Sequence, residues 1–158
     1  MAGGSAAEHS ALAAEILRVL GNATIDRPCR VHTSDLRIYV VRVGLATFPD
    51  GTVLCGPLEQ HEPSPQATAL NPAVLLEVTS DSSEEYDTIE KLQYYRTIPT
   101  LRNYIVVSHR ERRVTVHSRD ASREWTTSSV IAGQRAGVHS LDVDLVVDEI
   151  YRASAVGR

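Results

Sequence analysis

The stretch Asn71-Pro-Ala-Val-Leu-Leu-Glu-Val-Thr-Ser80, with Tyr86-Asp-Thr-Ile-Glu-Lys-Leu-Gln-Tyr-Tyr95 behind it, decides how this chain folds. Ala73 to Thr79 is apolar throughout except at Glu77, the pattern of a central strand covered on both faces. Ser80-Asp-Ser-Ser83 then offers several N-cap residues, and Glu84 and Glu85 suit the positive end of a helix. Ile89, Leu92 and Tyr95 mark the buried stripe predicted for that helix, which Pro99 ends. Upstream, Thr47-Phe-Pro-Asp-Gly-Thr-Val-Leu-Cys55 sets Asp50 at the head of another apolar run. A strand, a second strand and a helix thus deliver Asp50, Glu77 and Lys91. Two carboxylates can hold a hard divalent cation through oxygen, and a lysine can orient water or steady developing charge. This is the set that metal-assisted phosphodiester hydrolysis needs.

Each of the three residues also has a plainer reading. A carboxylate inside an apolar strand is costly unless it is paired or binds metal, and Glu77 can be satisfied by an ion pair with Lys91 or an arginine. Pro49-Asp50-Gly51 is equally a turn sequence. Lys91 on a helix is by default solvated, although Glu84, Asp87, Thr88, Lys91 and Tyr95 fall on one face. That polar stripe is either solvent face or site wall.

Outward from this centre, Leu12, Ala13, Ile16 and Leu20 recur at helical spacing, so Ala6 to Leu20 is predicted helical after a permissive start at Met1 to Ser5. Gly21-Asn22 supplies its stop. Arg37 to Val43 alternates and reads as a half-buried strand. Gly56 to Asn71 carries three prolines and forms the longest loop, a candidate lid. Tyr104–Ser108, Val114–Ser118 and Trp125–Ile131 read as strands, with Arg110-Glu-Arg-Arg113 as a basic turn that offers a possible phosphate contact. Leu141 to Tyr151 is expected to close the domain as a helix. The order implies one α/β domain over residues 1–158, with a mixed central sheet flanked by helices.

Bulk properties agree with a globular domain. With 158 residues the chain can bury a real core; 42% is hydrophobic and only 5% aromatic, so aliphatic residues must build that core. No apolar run approaches the roughly 20 residues of a membrane helix. No secretory signal pattern is visible at the N-terminus. The two cysteines, Cys29 and Cys55, lack metal-ligand spacing and are expected to be reduced thiols in a cytoplasmic protein. The net charge of −4 argues mildly against non-specific nucleic-acid binding. His9, beside the Leu12–Ile16 stripe, is expected to be a satisfied, partly buried side chain rather than a ligand. The other histidines show no zinc-site spacing. Phosphate loops and nucleophile elbows are lacking as well.

Several segments together resemble the Uma-two family of the PD-(D/E)XK nuclease superfamily. They are Met1–Ser5 with His9, Cys29–Arg37, Phe48-Pro-Asp50 with Val53–Gly56, Asn71-Pro with Glu77–Ser80, and Tyr86-Asp87 through Lys91 to Pro99. The resemblance implies a restriction-endonuclease-like core, a site for Mg²⁺ or Mn²⁺, and endonuclease activity on DNA. By match, Asp50 and Glu77 take the two acidic positions, with the backbone carbonyl of Val78 as a further metal ligand. The superfamily lysine would stand at Thr79; in this family it has moved to the next helix, where Lys91 fits. The family's usual N-terminal segment, with its own acidic residue, would precede the Ala-Gly-Gly stretch. Its lack would leave a sheet edge uncovered, so a homodimer is expected. A catalytically inactive binding or assembly module on the same fold is the alternative.

Overall fold

The computed structural model describes residues 2–61 and 66–157, with side chains from Ala6 onward. In chain order the elements are α1 (Ala2–Ala23), β1 (Cys29–Thr33), β2 (Arg37–Val40), β3 (Leu45–Thr47), β4 (Gly51–Cys55), β5 (Thr68–Ala69) and β6 (Pro72–Val78). Then come α2 (Lys91–Tyr95), β7 (Asn103–Val107), β8 (Arg113–Arg119), β9 (Trp125–Ile131), β10 (Arg135–Val138), β11 (Val143–Val146) and α3 (Val147–Ile150). The main sheet has six strands in the order β1-β4-β6-β7-β8-β9. Within this sheet, among the described residues, β6 and β7 pair parallel, joined by the crossover that carries α2, and the other neighbours pair antiparallel, so the sheet is mixed.

The strand singled out by its sequence is central, and its alternate residues enter two cores. Val74, Leu76 and Val78 pack with Leu12, Ile16 and Leu20 of α1. Leu75 faces the other way, toward Tyr95, Leu101 and Tyr104. Helices therefore cover opposite faces, and this is why the strand reads as continuously apolar. Gly51 permits the close docking of α1: a Cβ there would meet Leu17 Cδ2 at 2.6 Å.

Several expectations need correction. The permissive start is already helical from Ala2, while Met1 lies outside the described residues. The strand expected at Arg37 to Val43 ends at Val40, and Val41–Val43 form a tight helical turn. Leu141 to Tyr151 is not one helix. Val143–Val146 is a strand paired with Arg135–Val138, and only Val147–Ile150 is helical. The alternation of Val143, Leu145 and Val147 is strand periodicity. Asp142 breaks the chain ahead of it in the left-handed region, at φ 52°.

Cys29 and Cys55 are not reduced thiols; they form a disulfide. They are direct partners in the antiparallel β1–β4 register, a pairing that depends on a strand the sequence reading had not recognised. Around the predicted lid, Leu70 N donates to Glu59 O, and Asn71 ties the loop's base to Pro57 and Glu59. Residues 62–65 of that loop lie outside the described residues. Among the described residues, no helix is long and apolar enough to cross a membrane.

Candidate metal-binding active site

Asp50, Glu77 and Lys91 do converge. The β4–β6 ladder pairs Gly51 with Leu76. One residue further along, carboxylates take over from main-chain pairing. Val78 N donates to Asp50 Oδ2 at 2.8 Å, and Asp50 N donates to Glu77 Oε1 at 3.1 Å. This reciprocal pair locks both acids at the strand ends. Asp50 keeps a fifth of its side chain exposed, whereas Glu77 is only 3% exposed.

From the opposite side, Lys91 Nζ donates to Glu77 Oε2 and lies 3.1 Å from Asp87 Oδ1. Tyr95 OH reaches Glu77 Oε2 at 3.3 Å, Ser83 Oγ donates to Asp87 Oδ2, and Tyr104 OH donates to the Asp87 carbonyl. The helix owes this arrangement to one wide turn, in which Lys91 N–H bonds to Tyr86 O five residues back. Such a turn adds a residue and rotates the following face, a device frequent at functional sites. It explains why Ile89, predicted buried, is 52% exposed, while Asp87 is buried in its place.

The expectation for His9 was a satisfied, partly buried side chain rather than a ligand. The histidine is partly buried and satisfied, as expected, and its partners are two groups of the candidate site. Nε2 donates to the Val78 carbonyl at 2.9 Å and lies 3.2 Å from Asp50 Oδ2. The signal was present in the spacing: His9, Leu12, Ile16 and Leu20 share one helical stripe, so the stripe that covers β6 presents His9 at its end. Asp87 was noted on the polar stripe, but its burial rests on the wide turn.

Electrostatics reflect crowded acids. Burial pushes the Glu77 carboxyl up to about 7; Lys91 opposes the shift, and Asp87 and Asp50 add to it. For Lys91, burial pulls its pKa down, but Glu77 and Asp87 outweigh this and raise it, so the ammonium stays charged. The hydrogen bond to Asp50 raises the His9 pKa against the effect of burial. Lys91 pairs with Glu77 and Asp87, and Asp50 faces His9 on the other side, so the crowded acids hold negative charge that a cation would neutralise, and their oxygens suit a hard divalent ion. Among the described residues, no three His, Cys, Asp or Glu side chains already form a metal cage. The convergent donors are instead side chains together with the Val78 carbonyl.

The family model of the Uma2 "Putative restriction endonuclease" family matches residues 1–150. The chain belongs to that family. A relative from Synechocystis sp., an uncharacterised protein, is 29% identical over 97% of this chain and 79% of its own length. A second uncharacterised protein of Synechocystis sp. is 27% identical over 85% of this chain and 75% of its own. Among solved structures, a protein titled a putative nuclease belonging to DUF820, from Anabaena variabilis, superposes with a TM-score of 0.74. The match covers 92% of this chain and 80% of that one at 17% identity, so it shows the restriction-endonuclease-like fold.

The basic turn is spent on internal contacts. Arg110 pairs with Glu84 and Asp81, Arg113 with Glu111, and Arg112 donates to the Val156 and Ser154 carbonyls.

Proposed function

We propose that this Uma2 protein is a metal-dependent endonuclease that hydrolyses DNA phosphodiester bonds. The observation that carries the reading is the convergence of Asp50, Glu77 and Lys91 from β4, β6 and the α2 segment at one end of the sheet. Asp50, Glu77 and the Val78 carbonyl would hold Mg²⁺ or Mn²⁺. When bound, the cation would neutralise phosphate charge and supply a more acidic water. Lys91 opposes the effect of burial on the Glu77 carboxyl and stands where it can orient the attacking water. Asp87 anchors Lys91, and Tyr95 holds the Glu77 carboxylate from the far side.

A homodimer would bring two such sites to the two strands of a duplex. The outer sheet edges fit that assembly, since β9 ends the main sheet with no further strand paired to it among the described residues, and Thr126 through Ser129 are exposed. DNA as the substrate implies work in the cytoplasm, where the Cys29–Cys55 disulfide would face thiol reductants.

The test is cleavage of supercoiled plasmid with Mg²⁺ or Mn²⁺ by the wild type, Asp50→Ala and Glu77→Ala. Nicking or linearisation by the wild type alone supports the reading, and equal activity in all three sinks the site. The internally paired arginines and the net charge of −4 favour a second reading, a catalytically silent module on the nuclease fold. Calorimetry separates the two: carboxylate-dependent binding of a divalent cation supports the enzyme, and its lack at millimolar metal supports the module.

A further inference from the structure

We infer that His9 is a nitrogen ligand of the cation held by Asp50 and Val78, and that it biases this site toward a first-row transition ion such as Mn²⁺ over Mg²⁺. The inference rests on the proposed metal site and adds a residue and a selectivity to it.

The geometry starts from the helix. An apolar stripe of Leu12, Ile16 and Leu20 seals α1 onto β6, and each of the three is essentially fully buried. At the next position of that stripe an aliphatic residue would continue the seal, but the chain places His9 there. A half-buried imidazole in an apolar stripe needs a partner. It finds two: Nε2 contacts the Val78 carbonyl oxygen at 2.9 Å and Asp50 Oδ2 at 3.2 Å. These are the same two oxygens the metal reading uses.

The spacing has a specific meaning. Two neighbouring ligands of an octahedral ion, each about 2.1 Å from it, lie about 3 Å apart. The separations of Nε2 from both oxygens match that edge. Nε2 therefore stands one ligand–ligand edge away from each of the two oxygens. A neutral imidazole presents the Nε2 lone pair as a metal ligand. His9 also borders a cavity of about 1220 Å³ that runs past Thr79, Ser80 and His109. Mg²⁺ favours oxygen ligands and keeps its waters, whereas imidazole favours first-row transition ions. One nitrogen among oxygen donors thus sets selectivity without excluding Mg²⁺.

The experiment is metal titration by calorimetry, with pulsed EPR of the Mn²⁺ complex, on the wild type, His9→Ala, His9→Gln and Asp50→Ala. His9→Gln retains an N–H donor for the Val78 carbonyl and so keeps the helix docked, while its amide is a poor metal ligand. It carries the test even where His9→Ala is unstable. We expect the wild type to bind Mn²⁺ at least about tenfold more tightly than Mg²⁺, with nitrogen modulation from one imidazole. Both His9 variants should lose that modulation and weaken Mn²⁺ by about tenfold or more, while Mg²⁺ affinity shifts by less than about threefold. Wild-type Mn²⁺ affinity in His9→Gln, tighter binding in His9→Ala, or an EPR spectrum without nitrogen coupling overturns the inference. Asp50→Ala separates the two layers. If it abolishes binding while the His9 variants do not, the imidazole assignment alone fails. If it leaves binding intact, or if the wild type binds no metal, the underlying site fails with it.

Discussion

Replacing Lys91 by methionine keeps the aliphatic stem and removes the one ammonium between two buried carboxylates. Glu77 and Asp87 side chains are each 3% exposed, and Lys91 is 12% exposed. Breaking a buried pair by deleting one partner costs about 3–5 kcal/mol, because an uncompensated charge remains. Here the protein has an escape, since the Glu77 carboxyl already titrates near 7 and loses its strongest opposing influence with Lys91. A carboxyl whose folded pKa exceeds its unfolded value contributes stability below the unfolded pKa and loses it as pH rises through the folded one. Lys91→Met extends that loss to higher pH. The cost should therefore reach about 3–5 kcal/mol at pH 8 and shrink at pH 5, where the carboxyl takes up a proton cheaply. Urea unfolding at both pH values, read from the fluorescence of Trp125, the single tryptophan, measures it. Adding Glu77→Gln to Lys91→Met should recover about 2 kcal/mol at pH 8, as a double-mutant cycle reports. A loss below about 1 kcal/mol at pH 8, or a larger loss at pH 5, would refute the buried-triad reasoning.

Three further outcomes follow from the same interior. Between pH 4.5 and about 7 the raised Glu77 carboxyl should contribute a loss of about 3 kcal/mol of stability as pH increases; Glu77→Gln removes that contribution, so its stability should rise with pH relative to the wild type in metal-free urea titrations. His117 runs the other way: burial lowers its pKa to about 4, so its contribution is present above 6.5 and is lost as pH falls toward 4. The two slopes oppose each other in the wild type, and His117→Gln should leave stability falling steeply from pH 4.5 to 7 in the same experiment. Reducing the Cys29–Cys55 disulfide, which closes a sequence separation of 26, should cost about 3 kcal/mol by the chain-entropy argument, measurable as a lower Tm with and without a dithiol reductant.

How far the sequence disclosed this molecule depended on whether local pattern or long-range register decided each element. Ala73–Thr79 announced itself because a strand buried on both faces has no polar side to confuse the reading, and its one charge pointed to the site. Asp50 and Lys91 followed because the acids sit at strand ends and the helix lies in the crossover. β1 escaped notice because it is a short, half-exposed edge strand with only Cys29 and Val31 turned to the core. The disulfide went with it, since only the β1–β4 register makes Cys29 and Cys55 neighbours. The inward turn of Asp87 and outward turn of Ile89 come from one wide helical turn, which a 3.6-residue period cannot reveal. His9 was readable as part of the α1 stripe; what that stripe covers at its far end is a tertiary fact.

The most direct test of the metal-site account is cleavage of a labelled DNA duplex by Glu77→Gln beside the wild type, at pH 7.5 with Mg²⁺ and again with Mn²⁺. This substitution suits the purpose because it preserves shape and relieves the crowding of buried acids, so the variant should melt at or above the metal-free wild type. The account predicts metal-dependent cleavage by the wild type, suppressed by a chelator, and a loss of at least about a hundredfold in the folded variant. Equal cleavage by both proteins, or cleavage that persists in excess chelator, would contradict it.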